Sequence, residues 1–191
     1  LKERKVKVQA GHCLSINGRE TEAGTTSLIK NNMFPSKQPS TLLKVDGATH
    51  TFNAMSGVTH RGTSAALSAL IHDEVYAEII GDGVHVSDDA LKLFFKAKPE
   101  DKVILISDAL PITYSDMKET VFADSKIYYD GDKATSADGT IAGSTKLLPE
   151  IIKILGKKGM FKPRFIENTY RYHGLEPMGE IEWDEDFNPR F

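Results

Sequence analysis

YAEIIGDGVHVSDDALKLFFKAKPEDKVILISDA, residues 76–109, reads as strand, helix, strand. Tyr76 to His85 reads as one strand ending in polar residues. Ser87 to Lys98 opens with a serine and two aspartates, residues that cap a helix start and match its dipole. It ends in lysines before Pro99. Lys102 to Asp108 carries an unbroken apolar run, which suits a strand covered on both faces. This order predicts parallel strands joined by crossover helices, an α/β fold.

The same alternation extends upstream. In KVKVQAGH (5–12), Val6, Val8, Ala10 and His12 alternate with Lys5, Lys7 and Gln9, a strand period. The two lysines then fall on the side that helices should cover. ATHTFN (48–53) follows the turn signal Asp46-Gly47 and predicts a short second strand. Thr63 to Asp73 predicts a helix, and Asn17 to Lys44 a loop with one weak helix. Downstream, 120–141 holds short β-prone runs broken by Asp130-Gly131 and Asp138-Gly139, which predicts a small antiparallel excursion. Ser144 to Leu155 is an amphipathic helix pattern whose start Pro149 displaces. Lys162 to His173 predicts a last helix, and the acidic tail begins another strand.

Composition narrows the function classes. A net charge of −3, from 24 Lys+Arg and 27 Asp+Glu, gives no basic footprint for nucleic acid. No apolar run approaches the ~20 residues that cross a bilayer. The single Cys13 excludes a disulfide framework and predicts a reducing, cytoplasmic setting. The chain opens at Leu1 in a charged stretch without a signal-peptide apolar core, so Leu1 is expected not to be the natural start. The 191 residues suit one domain but fall short of the roughly 250 of a complete (β/α)8 barrel.

The chemistry-bearing residues share a position. His12, Asn53, His85 and Asp108 stand at or just past four predicted strand ends, with His50 near the second. In parallel α/β sheets and barrels those ends form the ligand-binding mouth. Imidazoles on neighbouring strands can hold a divalent metal, zinc foremost, and a carboxylate nearby can carry protons. Blander roles compete: Asp108 as a helix cap, Asp82 as a turn former before Gly83, and His60, His72 and His173 as solvated histidines.

Five patches resemble the N-acetylglucosamine-6-phosphate deacetylases of the amidohydrolase superfamily. QAGH (9–12) is similar to the strand end with the first metal histidine, and ATHTFNAM (48–55) with His60-Arg61 to the region of the second. IIGDGVHV (79–86) resembles the segment of the substrate-contacting histidine, LISDA (105–109) the strand of the catalytic aspartate, and GTIAGS (139–144) a turn near the substrate. The resemblance covers nearly the whole chain, in the family's order. It implies a partial (β/α)8 barrel holding the last four βα units, with the β excursion and C-terminal helices. It implies that His12 and His50 bind the metal and that Asp108 is the acid and base. It further implies that Asn53, Ala54, Arg61 and His85 contact the sugar phosphate, that His85 helps to stabilise charge on the carbonyl oxygen, and that Ile141, Ala142 and Gly143 line the sugar. A homodimer is implied as well.

The sequence also departs from that family. The glutamate segment resembling HLEGP, a third metal ligand, has no counterpart here, and 37 residues separate His12 from His50. Gly62-Thr63-Ser64 stands where the family has Glu-Pro-Gly. Residues 1–191 are therefore expected to be the C-terminal part of such an enzyme, incomplete and nearly inactive alone. The competing expectations are an amidohydrolase for another amide, and a non-enzymatic α/β small-molecule-binding domain.

Overall fold

The computed structural model describes residues 6–12, 45–61 and 64–190. Cys13, Lys5 and the 17–44 loop expectation lie outside the described residues. Two compact units divide the chain. One comprises Leu1–Ile79, Lys92–Ile104 and Pro163–Met178, the other Ile80–Leu91, Leu105–Lys162 and Gly179–Phe191.

The first unit is built on a sheet whose strands run in consecutive order: β1 (Gln9–Ala10), β2 (Gly47–Ala48), β3 (Tyr76–Ile80) and β4 (Val103–Ile106). β1 pairs with β2, and β2 with β3, in parallel, as the strand–helix alternation predicts. The strands are shorter than their patterns. β1 is two residues rather than 5–12, and β2 starts at Gly47 and gives way to turns after Ala48. β3 ends at Ile80 because the chain from Gly81 folds back around Asp82.

Helix α1 (Ala65–Ile71) starts where the Ser64 hydroxyl accepts the Leu67 amide. Its Ala65 and Ala69 pack against Ala10, Ala48, Val45, Met55 and Val75, small residues that let helix and sheet backbones approach. Val8 joins that cluster, so the valine side of β1 is the side α1 covers and Lys7 takes the other. There its Nζ lies 5.3 Å from the Tyr172 ring centroid. Tyr172 belongs to helix α4 (Arg164–His173), so Lys7 stands on a helix-covered side, as expected. Buried Lys98, just past α2 (Asp88–Ala97), donates to the carbonyls of Ala69 and His72 at 2.8 and 2.7 Å and so caps the end of α1. In α4 (Arg164–His173), fully buried Asn168 donates to the carbonyls of Glu100 and Val103, fixing the helix to the start of β4.

In the second unit, β5 (Glu119–Phe122), β6 (Ser125–Tyr129), β7 (Ala134–Ser136) and β8 (Ile141–Gly143) form an antiparallel sheet. This is the expected excursion, extended through Gly143. Leu110, Ile112, Ile127 and Ala134 form its core. α3 (Leu148–Lys157) begins one turn after Ser144, with Pro149 in its first turn and the Glu150 carboxylate on the Leu147 amide. α3 buries Ile151, Ile152 and Leu155. Strands β9 (Glu182–Trp183) and β10 (Pro189–Arg190) make the tail a hairpin. Among the described residues no helix is long and apolar enough to cross a membrane.

Candidate active site

Four polar residues follow their strands by two positions: His12 after β1, His50 after β2, Asp82 after β3 and Asp108 after β4. Three of them have left-handed backbones, with φ of 53° at His12, 33° at His50 and 51° at Asp108. Non-glycine residues rarely adopt this region, and each instance costs on the order of 1–3 kcal/mol. Such strain persists where the surroundings impose it, commonly at sites that bind or react.

In the first unit the parallel register explains how two histidines distant in sequence meet. Ala10 pairs with Ala48, so two residues further on His12 stands beside His50. Their rings lie edge to face with centroids 4.8 Å apart. Gly11 permits this closeness, since a Cβ there would sit 2.9 Å from Thr49 Cβ. The tips are braced from the sheet: Thr49 Oγ1 donates to Gln9 Oε1, Gln9 Nε2 donates to Glu78 Oε1, and Glu78 Oε2 accepts the His50 amide. Asn53 turns back onto the same residue, its amide and its Nδ2 both donating to the His50 carbonyl at 3.0 and 3.2 Å. Ala54, at φ 48°, and Arg61 are exposed on the segment that follows.

The His50 ring is buried, and its Nδ1 has no hydrogen-bond partner among the described residues. A buried ring nitrogen without a partner is costly, and a ligand bound to it would satisfy it. Two neighbouring imidazoles are of a donor type that suits a divalent metal. Among the described residues no group of three or more His, Cys, Asp or Glu gathers to complete a set, and zinc usually takes at least three ligands from protein.

The second unit holds a carboxylate–histidine pair. Asp82 is 3% exposed. Its Oδ1 accepts the amides of Val84 and His85, each at 2.9 Å, which is the turn-forming role read from Asp-Gly. Its Oδ2 does more, meeting His85 Nδ1 and the Ser144 hydroxyl, each at 2.8 Å. Burial alone would push this carboxyl up. The hydrogen bonds from the His85 ring and from the two backbone amides outweigh that and hold it well below the usual carboxylate range. Asp82 and Ser144 were not singled out from sequence as site residues. The available signal was an acid three residues before a histidine, just past a strand.

Asp108 is exposed, and no helix follows it directly, so it is not the cap of one. Instead the chain bridges to the GTIAGS turn. The Asp108 carbonyl accepts the Ser144 amide, Ala109 pairs with Ser144 in parallel, and the Leu110 amide donates to the Ser144 carbonyl. A Cβ on buried Gly143 would lie 2.9 Å from Leu110 Cγ and 3.1 Å from the Asp108 carbonyl oxygen. Asp108 and 141–143 are thus assembled locally, as are Asp82, His85 and Ser144. His60 is exposed, and His72 lies 3.8 Å from Glu74.

No family model matches the chain. It is 40% identical over 98 residues to N-acetylglucosamine-6-phosphate deacetylase of Bacillus subtilis, which is 50% of this chain and 24% of that protein. It is 33% identical over 98 residues to N-acetylgalactosamine-6-phosphate deacetylase of a Shewanella strain, covering 51% of this chain and 25% of that one. The crystal structure of N-acetylglucosamine-6-phosphate deacetylase from Thermotoga maritima superposes with a TM-score of 0.68 at 25% identity, over 76% of this chain and 44% of that chain. The chain spans about a quarter of the length of the curated relatives it matches. Curated relatives and solved neighbours thus carry the deacetylase name over about half of this chain or more.

Proposed function

We propose that this chain supplies the C-terminal βα units of a metal-dependent (β/α)8 deacetylase. That enzyme would hydrolyse the acetamide of N-acetylglucosamine-6-phosphate to acetate and the free amine. The observation that carries the proposal is the His12–His50 ring pair, set side by side by the parallel register with a buried nitrogen left for a ligand. His12 and His50 would hold the metal, zinc being the natural choice for imidazole. Its remaining protein ligand, a glutamate by family resemblance, would come from outside this chain. When bound, such a metal polarises an amide carbonyl and makes water a stronger acid.

The chain's own residues would do the rest. Asp108, a strand-end carboxylate, would take the proton from the attacking water and return it to the leaving nitrogen. Arg61 offers a planar fork that suits a phosphate dianion, and the backbone at Asn53-Ala54 adds donors. His85 would contact the sugar, and Ile141, Ala142 and Gly143 would line it. The cytoplasm and a homodimer are the expected setting and assembly.

Two experiments test this. Zinc titrated into the chain should raise its unfolding temperature modestly, and His50→Ala should abolish the rise; an unchanged rise would refute the ligand assignment. In the natural gene product, expected at about twice this mass, Asp108→Asn should cut amine release from N-acetylglucosamine-6-phosphate by about 100-fold or more. Near-normal turnover would remove Asp108 as the base. The isolated chain should be nearly inactive, and the unphosphorylated sugar should be a poor substrate for the whole enzyme.

A further inference from the structure

We infer that Asp82, seated by Ser144, is a positioning residue that fixes the tautomer of His85, so that the neutral ring presents Nε2 as an acceptor for a substrate hydroxyl. The inference deepens the proposed function and, in naming the hydroxyl, rests on it. The tautomer itself does not.

The geometry leaves little freedom. Asp82 Oδ1 is occupied by two backbone amides, Val84 and His85, which can only donate. Oδ2 is left for the His85 ring and for the Ser144 hydroxyl. Ser144 accepts the Lys146 amide at 3.1 Å, and its proton has Asp82 Oδ2 at 2.8 Å against the Lys146 carbonyl at 3.5 Å, so the carboxylate is the closer acceptor. A buried carboxylate with this many donors is ionised and accepts everywhere. His85 Nδ1 must therefore carry hydrogen. In the neutral ring the lone pair then resides on Nε2, the remaining polar atom of a side chain that is 6% exposed. A donor is what that atom selects, and on an amino-sugar phosphate the abundant donors are hydroxyls. The same ring could donate from Nε2 toward a carbonyl oxygen only when doubly protonated.

The arrangement also joins two segments the sequence analysis treated separately. Asp82 closes β3, and Ser144 closes the GTIAGS turn. The Ser144 backbone is at the same time tied to Asp108 and Leu110. A single residue, by its hydroxyl and its backbone, thus links the orientation of His85 to the place of Asp108.

The test is the ring tautomer, read by long-range proton–nitrogen correlation on the uniformly 15N-labelled chain at alkaline pH. The wild-type His85 should show hydrogen on Nδ1 and a bare Nε2. Asp82→Asn should reverse this. Its Oδ1 must stay on the two amides, so its NH2 faces Nδ1 and turns that nitrogen into an acceptor. A wild-type ring protonated at Nε2, or an unchanged tautomer in Asp82→Asn, would overturn the inference. Should that variant fail to fold, the wild-type tautomer decides alone. In the natural gene product, titration with N-acetylglucosamine-6-phosphate should move the wild-type Nε2 resonance in the direction of an accepted hydrogen bond. An Nε2 signal that stays fixed while Asn53 and Gly143 signals move would overturn the hydroxyl assignment. A chain with the Nδ1–H tautomer but no zinc stabilisation would sink the deacetylase proposal and leave the role of Asp82 standing.

Discussion

Gly81 packs closely on Leu155 of α3, and replacing it with alanine is the most direct test of how tightly that contact is held. Its φ is not left-handed, so alanine is not excluded by backbone conformation. The obstacle is Leu155, fully buried, whose Cδ1, Cγ and Cδ2 would lie 2.6, 2.9 and 3.0 Å from the new Cβ. Carbon atoms pack best at ~3.5–4.0 Å, so a gap of about 1 Å has to open. Forcing an extra methyl into a filled core costs about 1–3 kcal/mol. Alanine for glycine recovers about 0.4–1 kcal/mol by restricting the unfolded chain. The net loss should be about 1–2 kcal/mol, which for a chain of this size lowers the unfolding temperature by about 2–8 °C.

A double-mutant cycle isolates the cause. Leu155→Ala alone should cost about 2–5 kcal/mol, as a deletion from a buried site. In that background the space Leu155 occupied is free, so Gly81→Ala should be neutral or stabilising. The coupling should be about 1–3 kcal/mol in the compensating direction. Urea unfolding of the four chains measures it. Equal losses from Gly81→Ala in both backgrounds would show that Leu155 is not the obstacle and refute the reasoning. Because Gly81 immediately precedes Asp82, the single variant should also broaden the His85 ring signals.

Two pH effects follow from buried groups. The Asp82 carboxyl is held below its unfolded value, so it contributes stability above pH ~4 that is lost progressively as pH falls below that value; acid unfolding of Asp82→Asn should show a shallower slope there, and parallel curves would refute it. Burial pushes Lys98 down to about 8 from an ordinary 10.5, against the pull of Asp73 and Glu74. The unfolded chain therefore binds more protons between those values, and stability should rise with pH across that window. The neutral amine still has two hydrogens for the carbonyls of Ala69 and His72, so capping survives deprotonation. Lys98→Met should remove the rise, as read by chemical denaturation at pH 8 and 10; a rise that persists in Lys98→Met would assign it elsewhere.

The fold was legible where the pattern was periodic and the site where it was positional. The apolar run of 103–106 and the capped helix of 88–97 appear with boundaries moved by one residue or a few. The strand starting at Lys5 did not survive at its expected length, because alternation of valine and lysine shows which faces differ but not how many residues find a neighbour to pair with. Asp82 was hidden by its own simplicity: Asp-Gly is a common turn, and nothing in the sequence says that one oxygen makes the turn while the other holds an imidazole. Ser144 was hidden because its partner lies 62 residues away.

The backbone angles bear on the choice between a catalytic centre and a domain whose polar strand ends are merely solvated. Positive φ also occurs away from the strand ends, at exposed Tyr114 and in the Ala123-Asp124 turn, so the angle alone does not separate the two and substitution has to. His12, His50 and Asp108 all carry positive φ, which together costs on the order of 3–9 kcal/mol, comparable to the whole stability of a small protein. Asparagine or glycine at those positions would relax much of it. Residues that keep imidazole and carboxylate there hold side chains that the relaxed alternatives do not supply. The prediction is that His12→Gly, His50→Gly and Asp108→Gly each raise the unfolding temperature of the metal-free chain or leave it unchanged, while the first two abolish zinc-induced stabilisation. His50→Gly also removes a buried ring, so its gain should be the smallest of the three. A clear loss of stability for all three would mean that these side chains are structural, and the solvated-domain alternative would gain accordingly.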